Sequence, residues 1–125
     1  MNSRPPKQSA ASAGFTVLEL IIVVAVIGVL AATAIQQFNV YRARAIDVSM
    51  RSDLKNAAMA MESYYGEFLS YPSTQASILQ VGYRKTSGVT LTINVTSPST
   101  FTLNASRPNG SQPNFIFNNS TGLIN

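Results

Sequence analysis

Residues 15–35 read FTVLELIIVVAVIGVLAATAI, and this stretch decides what kind of protein the chain can be. Seventeen of its 21 residues are apolar; the exceptions are Thr16, Glu19, Gly28 and Thr33. An unbroken apolar run of about 20 residues can cross a hydrocarbon core of roughly 30 Å as a helix. Thirteen of the residues are Leu, Ile, Val or Phe. At about 0.3 to 0.6 kcal/mol each, they favour insertion by roughly 4 to 8 kcal/mol. A central acid costs about 3 kcal/mol on the same scale, and Glu19 sits near the end of the segment, where the cost falls. Insertion therefore survives the glutamate, but a charge at that position calls for an explanation.

Working outward, the run leaves a 14-residue leader and 90 residues, of a total of 125, to build anything soluble. Nine Lys and Arg against five Asp and Glu give a net charge of +4, with no Cys and no His. Thiol chemistry, disulfides, imidazole catalysis and the usual zinc ligand sets are thereby excluded. The leader, MNSRPPKQSAASAG, carries Arg4 and Lys7 and no acid. A secretory signal would be cut after its apolar region, following small residues. Here residues 36–44, QQFNVYRAR, offer no such site, whereas Ala10, Ala11, Ser12, Ala13 and Gly14 precede the run. A cut between Gly14 and Phe15 would keep the apolar helix in the product. An uncut anchor is the alternative, and spacing alone leaves both open. Arg4 and Lys7 on one side balance Arg42, Arg44 and Arg51 on the other, so charge bias does not orient the segment.

Over residues 37–69 the pattern becomes amphipathic. Ile46, Met50, Leu54, Ala57, Ala58, Met61, Tyr65 and Phe68 recur at steps of three and four and share one helical face, which is read as core. Asp47, Arg51, Lys55 and Glu62 fall off that stripe. Tyr71-Pro72 ends the helix, because the residue before proline is pushed out of the α region. A helix over about 15–69 would run roughly 80 Å, far more than a small globule needs. Residues 70–86 read as a connecting loop with an apolar patch at Ile78, Leu79 and Val81. After Gly88 the period changes to two: Val89, Leu91, Ile93 and Val95 alternate with Thr90, Thr92, Asn94 and Thr96. Turns at Ser97-Pro98, Pro108-Asn109-Gly110 and residues 118–122 separate Phe101, Leu103 and Ala105 from Phe115 and Phe117, and these from Leu123-Ile124. The expected fold is α+β. A long N-terminal helix carries, on its second half, an antiparallel meander of three to four strands. The expected organisation is a removed leader (1–14), a transmembrane and assembly helix (15–36), an amphipathic half (37–70), and a loop with a small sheet (71–125).

After Glu67 the chain has no acid and three cations, Arg84, Lys85 and Arg107. That argues against a carboxylate calcium site and against paired-carboxylate catalysis. Arg84 and Lys85 make a poor footprint for nucleic acid. Asn94, Asn104, Asn109, Asn118 and Asn119 each begin an Asn-x-Ser/Thr triplet, which composition explains in so Asn-, Ser- and Thr-rich a tail.

Gly14-Phe15-Thr16-Val17-Leu18-Glu19, behind a short basic leader and running into a Val/Ile/Leu/Ala segment, resembles the signature of type IV prepilins and pseudopilins. The likeness continues through Gly28, Leu30-Ala31-Ala32, Ala34-Ile35, Phe38, Tyr41 and Arg42, and is close over about residues 14–44. It implies that Gly14 ends a leader read by a prepilin peptidase. Phe15 would then become an N-methylated N-terminus, and Glu19 would attract the terminal amine of a neighbouring subunit. Gly28 and Ala32 form a small-xxx-small pair suited to helix packing. The implied protein is a structural pilus subunit with no catalysis, no cofactor and no metal. Its implied partners are identical subunits, the peptidase, an inner-membrane assembly platform and, before assembly, membrane lipid, with no nucleic acid. It would sit single-pass in the inner membrane, N-terminus cytoplasmic, and later in a surface pilus. The rivals are a pseudopilin or minor pilin of a type II secretion or DNA-uptake apparatus, and a DNA- or surface-binding minor pilin. One departure is plain. Where family members commonly carry proline before Phe-x-x-Tyr, this chain has Gln36, a good helix former. The reading is a helix unbroken at residues 34–38, with any unwinding in a filament centred nearer Gly28.

Overall fold

A computed structural model describes residues 14–125. Of the expected leader, only Gly14 is among them; the rest lies outside the described residues. Helix α1 spans Val17–Phe68 and α2 spans Gln75–Gln80. Four strands follow: β1 (Thr90–Ser97), β2 (Thr100–Ser106), β3 (Asn114–Asn118) and β4 (Leu123–Ile124). The chain divides into two units, one ending at Gln36 and the other running Gln37–Asn125.

In the first unit the most apolar 18-residue window of α1 has a mean hydropathy of 2.7, and none of it is buried. Leu20, Ile21 and Ile22 point to different sides of the helix, and each exposes more than half of its surface. A helix apolar all round belongs in apolar surroundings. Its polar interruptions are handled locally: the Thr33 hydroxyl donates to the Leu30 carbonyl at 2.9 Å. Gln36 and Gln37 are both helical, as the absence of proline predicts.

In the second unit a meander of order β1-β2-β3-β4, antiparallel throughout, supplies the other half of a core. Ile46, Met50, Leu54, Ala57 and Met61 of α1 cluster with Leu91, Phe101, Leu103, Ala105 and Phe115 of the sheet. The register sets Ala105 between Leu91 and Phe115 on adjacent strands, so a small side chain separates two large ones. Leu103 lies likewise between Ile93 and Phe117. The alternation that marks the strands in the sequence is therefore the alternation that fills the core.

Three sequence expectations need correction. The stripe was carried too far: Phe68 is 52% exposed and Tyr65 36%. The core cluster has ended by then, and these rings stack on neighbours instead, Tyr64 on Phe68 at 4.3 Å and Tyr65 on Tyr71 at 4.6 Å between centroids. Second, the segment over 70–86 is not all loop. It contains α2, whose Ile78 is fully buried; six residues are too few for a 3.6 period to show. Third, Asp47 is buried despite its place off the stripe, and Asp53, beside Leu54 and outside the stripe as read, is buried too. Helix α1 stops before the proline. Leu69 turns to φ 54° and its N–H bonds the Tyr65 carbonyl at 2.8 Å, a left-handed cap in an unusual residue.

Two glycines give opposite expectations. A Cβ at Gly110 would lie 2.7 Å from Asp47 Oδ1 and 3.0 Å from the Gln112 carbonyl, whereas one at Gly66 would meet nothing within 4 Å. Gly110→Ala should lower stability by about 1–3 kcal/mol. Gly66→Ala, inside α1, should raise it by about 0.5–1 kcal/mol. Denaturant midpoints of the full chain in detergent test both.

Candidate functional site

The residues singled out by the sequence lie at the head of α1. Gly14, Phe15 and Thr16 precede the helix, and Thr16 caps it. The Glu19 N–H donates to Thr16 Oγ1 at 3.2 Å, and Glu19 Oε2 accepts from the Thr16 N–H at 2.9 Å and from its hydroxyl at 3.0 Å. This is a capping box, Thr-x-x-Glu, in which two backbone donors that the helix leaves unpaired are satisfied reciprocally. In apolar surroundings such donors have no water to turn to, so closing the box matters more there than at a wet surface. The Thr-x-x-Glu spacing ahead of an apolar run is a local signal of this cap in the sequence. Among the described residues, these bonds use only Oε2 of Glu19.

Phe15 is 86% exposed, and a Cβ on Gly14 would meet nothing within 4 Å. Packing among the described residues therefore gives no reason for glycine at 14. Gly28 and Ala32 are both exposed, four residues apart on one side of α1, with open space beside Gly28. The structure brings together Thr16 and Glu19, with Phe15 beside them in the chain and exposed; the Gly28–Ala32 pair stands separately along the helix.

In the second unit the buried carboxylates act as clasps. Asp47 accepts from the Ser111 N–H at 2.9 Å and from the Ser111 hydroxyl. Asp53 accepts from the Thr86 N–H at 2.9 Å and its hydroxyl at 2.8 Å. Each ties a loop 33 or 64 residues distant to α1. Charge-assisted bonds of this kind offset the cost of burying the carboxylate. Beside Asp53, Tyr83 is 2% exposed, and its hydroxyl is buried without a partner. Burial, and then the Asp53 charge, push its phenol up to about 12. At the far end of the helix the Tyr71 hydroxyl donates to Glu62 at 3.0 Å. Burial first, and that bond second, raise its pKa above the ordinary tyrosine value. Asn119 pins β2: its Oδ1 accepts from the Phe101 N–H at 2.9 Å, and its Nδ2 donates to the Ser99 carbonyl at 3.0 Å. The amide of that Asn-x-Ser/Thr triplet is thus in structural use. These contacts hold backbone to backbone, and the second unit is built to keep a small sheet fixed on a helix.

Because the Tyr83 phenol ionises more readily in the unfolded chain than in the folded one, stability should fall as pH rises from about 10 toward 12. Tyr83→Phe should flatten that fall. At neutral pH it should leave stability unchanged or raise it, since it deletes an unpaired buried hydroxyl. Unfolding curves of the two proteins across pH 7 to 11.5 check the sign.

No family model matches the chain. Among curated proteins it is 35% identical over 98 residues to the type IV wide pilus major component PilA4 of Thermus thermophilus, covering 78% of this chain and 75% of that protein. It is 44% identical over 54 residues to the type IV major pilin protein PilA of Myxococcus xanthus, covering 43% of this chain and 24% of that one. It is 32% identical over 71 residues to the type II secretion system core protein G of Pseudomonas aeruginosa, covering 57% and 50%. For the last two, the match spans about a quarter and a half of the relative's length.

Proposed function

The chain belongs to the type IV pilin and pseudopilin family, and from that premise we propose that it is the repeating subunit of a type IV pilus, matured by cleavage after Gly14 and polymerised through the apolar half of α1. The observation that carries this reading is the pairing of an uncovered apolar helix with a capping box that fixes its one carboxylate at the tip. Before assembly, lipid of the inner membrane covers the apolar segment; in the filament, the same segments of neighbouring copies do. Gly28 and Ala32 let two such helices approach closely.

Cleavage adds water across the Gly14–Phe15 peptide bond and leaves a free amine on Phe15. The openness around Gly14 and Phe15 suits recognition by a separate peptidase, which meets no side chain at 14. The new ammonium lies on the same short segment as Glu19. Thr16 holds one carboxylate oxygen, and the other is offered to the amine of a neighbouring subunit. A carboxylate in apolar surroundings is tolerable when a cation is brought to it. The pseudopilin alternative draws on the likeness to the secretion core protein, but the match to the wide-pilus component covers more of both chains.

Intact-mass analysis of subunit from sheared filaments should begin at Phe15, and replacing Gly14 by a bulkier residue should leave the leader attached. Two substitutions separate charge from capping at Glu19. Glu19→Gln can still close the box but carries no charge, whereas Glu19→Ala does neither. Both should give processed, membrane-resident subunit with few filaments. Normal piliation by the Gln variant would show that capping, not charge, is what assembly needs.

A further inference from the structure

The turn between β2 and β3 carries the one Asn-Gly pair in the chain, Asn109-Gly110. Asn109 is exposed and held at φ 66°, a left-handed conformation that asparagine tolerates better than most residues. Among the described residues its carboxamide takes part in no hydrogen bond, and the Gly110 N–H donates none. The next residue, Ser111, carries both bonds to Asp47. A carboxamide and a main-chain nitrogen that can react with each other are therefore adjacent in the chain and unengaged.

Glycine matters at 110 because a side chain on the following residue shields its nitrogen from the approaching carboxamide. The other asparagines of the sheet lack one requirement or another. Asn94 is exposed, but it lies within β1 and the β-branched Val95 follows it. Asn119 is followed by Ser120, and both ends of its carboxamide are bonded, to Phe101 and to Ser99. Asn118 accepts from the Ser120 N–H and hydroxyl.

We propose that Asn109-Gly110 is a self-modifying site, at which the asparagine deamidates without an enzyme and the product loosens the turn from α1. The Gly110 nitrogen attacks Cγ of Asn109. The new N–Cγ bond closes a five-membered imide, the Cγ–Nδ2 bond breaks, and Nδ2 leaves as ammonia with the proton from Gly110. Water then opens the imide at one of its two carbonyls. Opening at Cγ gives aspartate; opening at the main-chain carbonyl gives isoaspartate. The sum is one water consumed and one ammonia released, with no oxidant or reductant. Either product lowers the net charge of the chain by one.

The new carboxylate stands two residues before Ser111, whose N–H and hydroxyl bond the buried Asp47. Isoaspartate also lengthens the main chain by one carbon. Little room exists to take that up, since a Cβ on Gly110 would already lie 2.7 Å from Asp47 Oδ1 and 3.2 Å from Met50 Cε. A turn pushed off this seat leaves a buried carboxylate short of donors, which destabilises the second unit. The clasp also restrains the reaction beforehand. Ring closure needs freedom of the main chain at 109 and 110, and the bonds of Ser111 to Asp47 restrict it.

Nothing in this chemistry requires assembly, so the purified full chain in detergent serves for the test. Held for days near pH 8 and then mapped by peptide mass spectrometry, it should gain about one dalton at Asn109. Isoaspartyl methyltransferase should label the same peptide, and the rate should rise several-fold from pH 7 to pH 9. Asn94 and Asn119 should stay intact. Ser111→Ala, with its fold verified by circular dichroism, should speed conversion several-fold by freeing the turn. Aged wild type should unfold at lower urea than fresh protein, whereas Asn109→Gln aged in the same way should show no such loss. An intact Asn109, or conversion of Asn94 or Asn119 at the same rate, would overturn the site. An unchanged rate in Ser111→Ala, or an unchanged midpoint on ageing, would overturn its coupling to the clasp.

Discussion

The apolar half of α1, none of it buried among the described residues, is the constraint from which the other features follow. A surface of that kind has to be covered by lipid or by other protein. The sheet, being small, covers only the stripe from Ile46 to Met61 and stops there. Exposure therefore persists on two further parts of α1, the aromatic end around Phe68 and the outer strip bearing Val48 and Met59. Each is too small to drive association alone, but all lie on the element that the proposed filament would hold in common.

The acids follow the same logic. Of five carboxylates, Glu19, Asp47, Asp53 and Glu62 are bonded within the chain, in every case by neutral donors. The buried two tie the segment before β1 and the β2–β3 turn to the part of α1 in the second unit. No cation is consumed in these bonds; Arg51 instead lies over the Phe115 ring of the sheet, 4.2 Å from its centroid. A chain that spends its acids on backbone donors is left with an uneven surface, which favours some arrangements of copies over others.

Much of the fold was legible because two periods carry it. The switch from a solid apolar run to a three-and-four pattern, and then to strict alternation, marks α1 and β1 to β3 without ambiguity. What escaped was whatever depends on a partner far away in sequence. Asp53 is buried beside Leu54 of the stripe, and nothing local says that Thr86, 33 residues on, will bond it. Phe68 continues the stripe, yet whether a strand reaches far enough to cover it is a question about the sheet. Helix α2 is shorter than two turns, so its one buried side chain, Ile78, looks like any loop residue. The Thr16–Glu19 box is a different case: its signal is local, and beside it stands the more conspicuous question of why an acid begins an apolar segment.

That question has a physical answer in the box. A helix that starts in or near lipid exposes backbone donors which only its own side chains can satisfy, so a capping residue and its partner are needed whatever the protein does. Gln at position 19 would serve the helix, since its side-chain oxygen can reach back to the Thr16 N–H. It would leave no charge for an incoming ammonium. Asp would carry the charge on a side chain one methylene shorter than the box employs. Glu alone among these meets both requirements, one oxygen committed to Thr16 and one left over. In the proposed assembly the neighbouring amine therefore meets a carboxylate already held in place. The ordering entropy of that side chain has been met by the cap before any contact is made, so more of the ion pair's attraction remains to hold the filament.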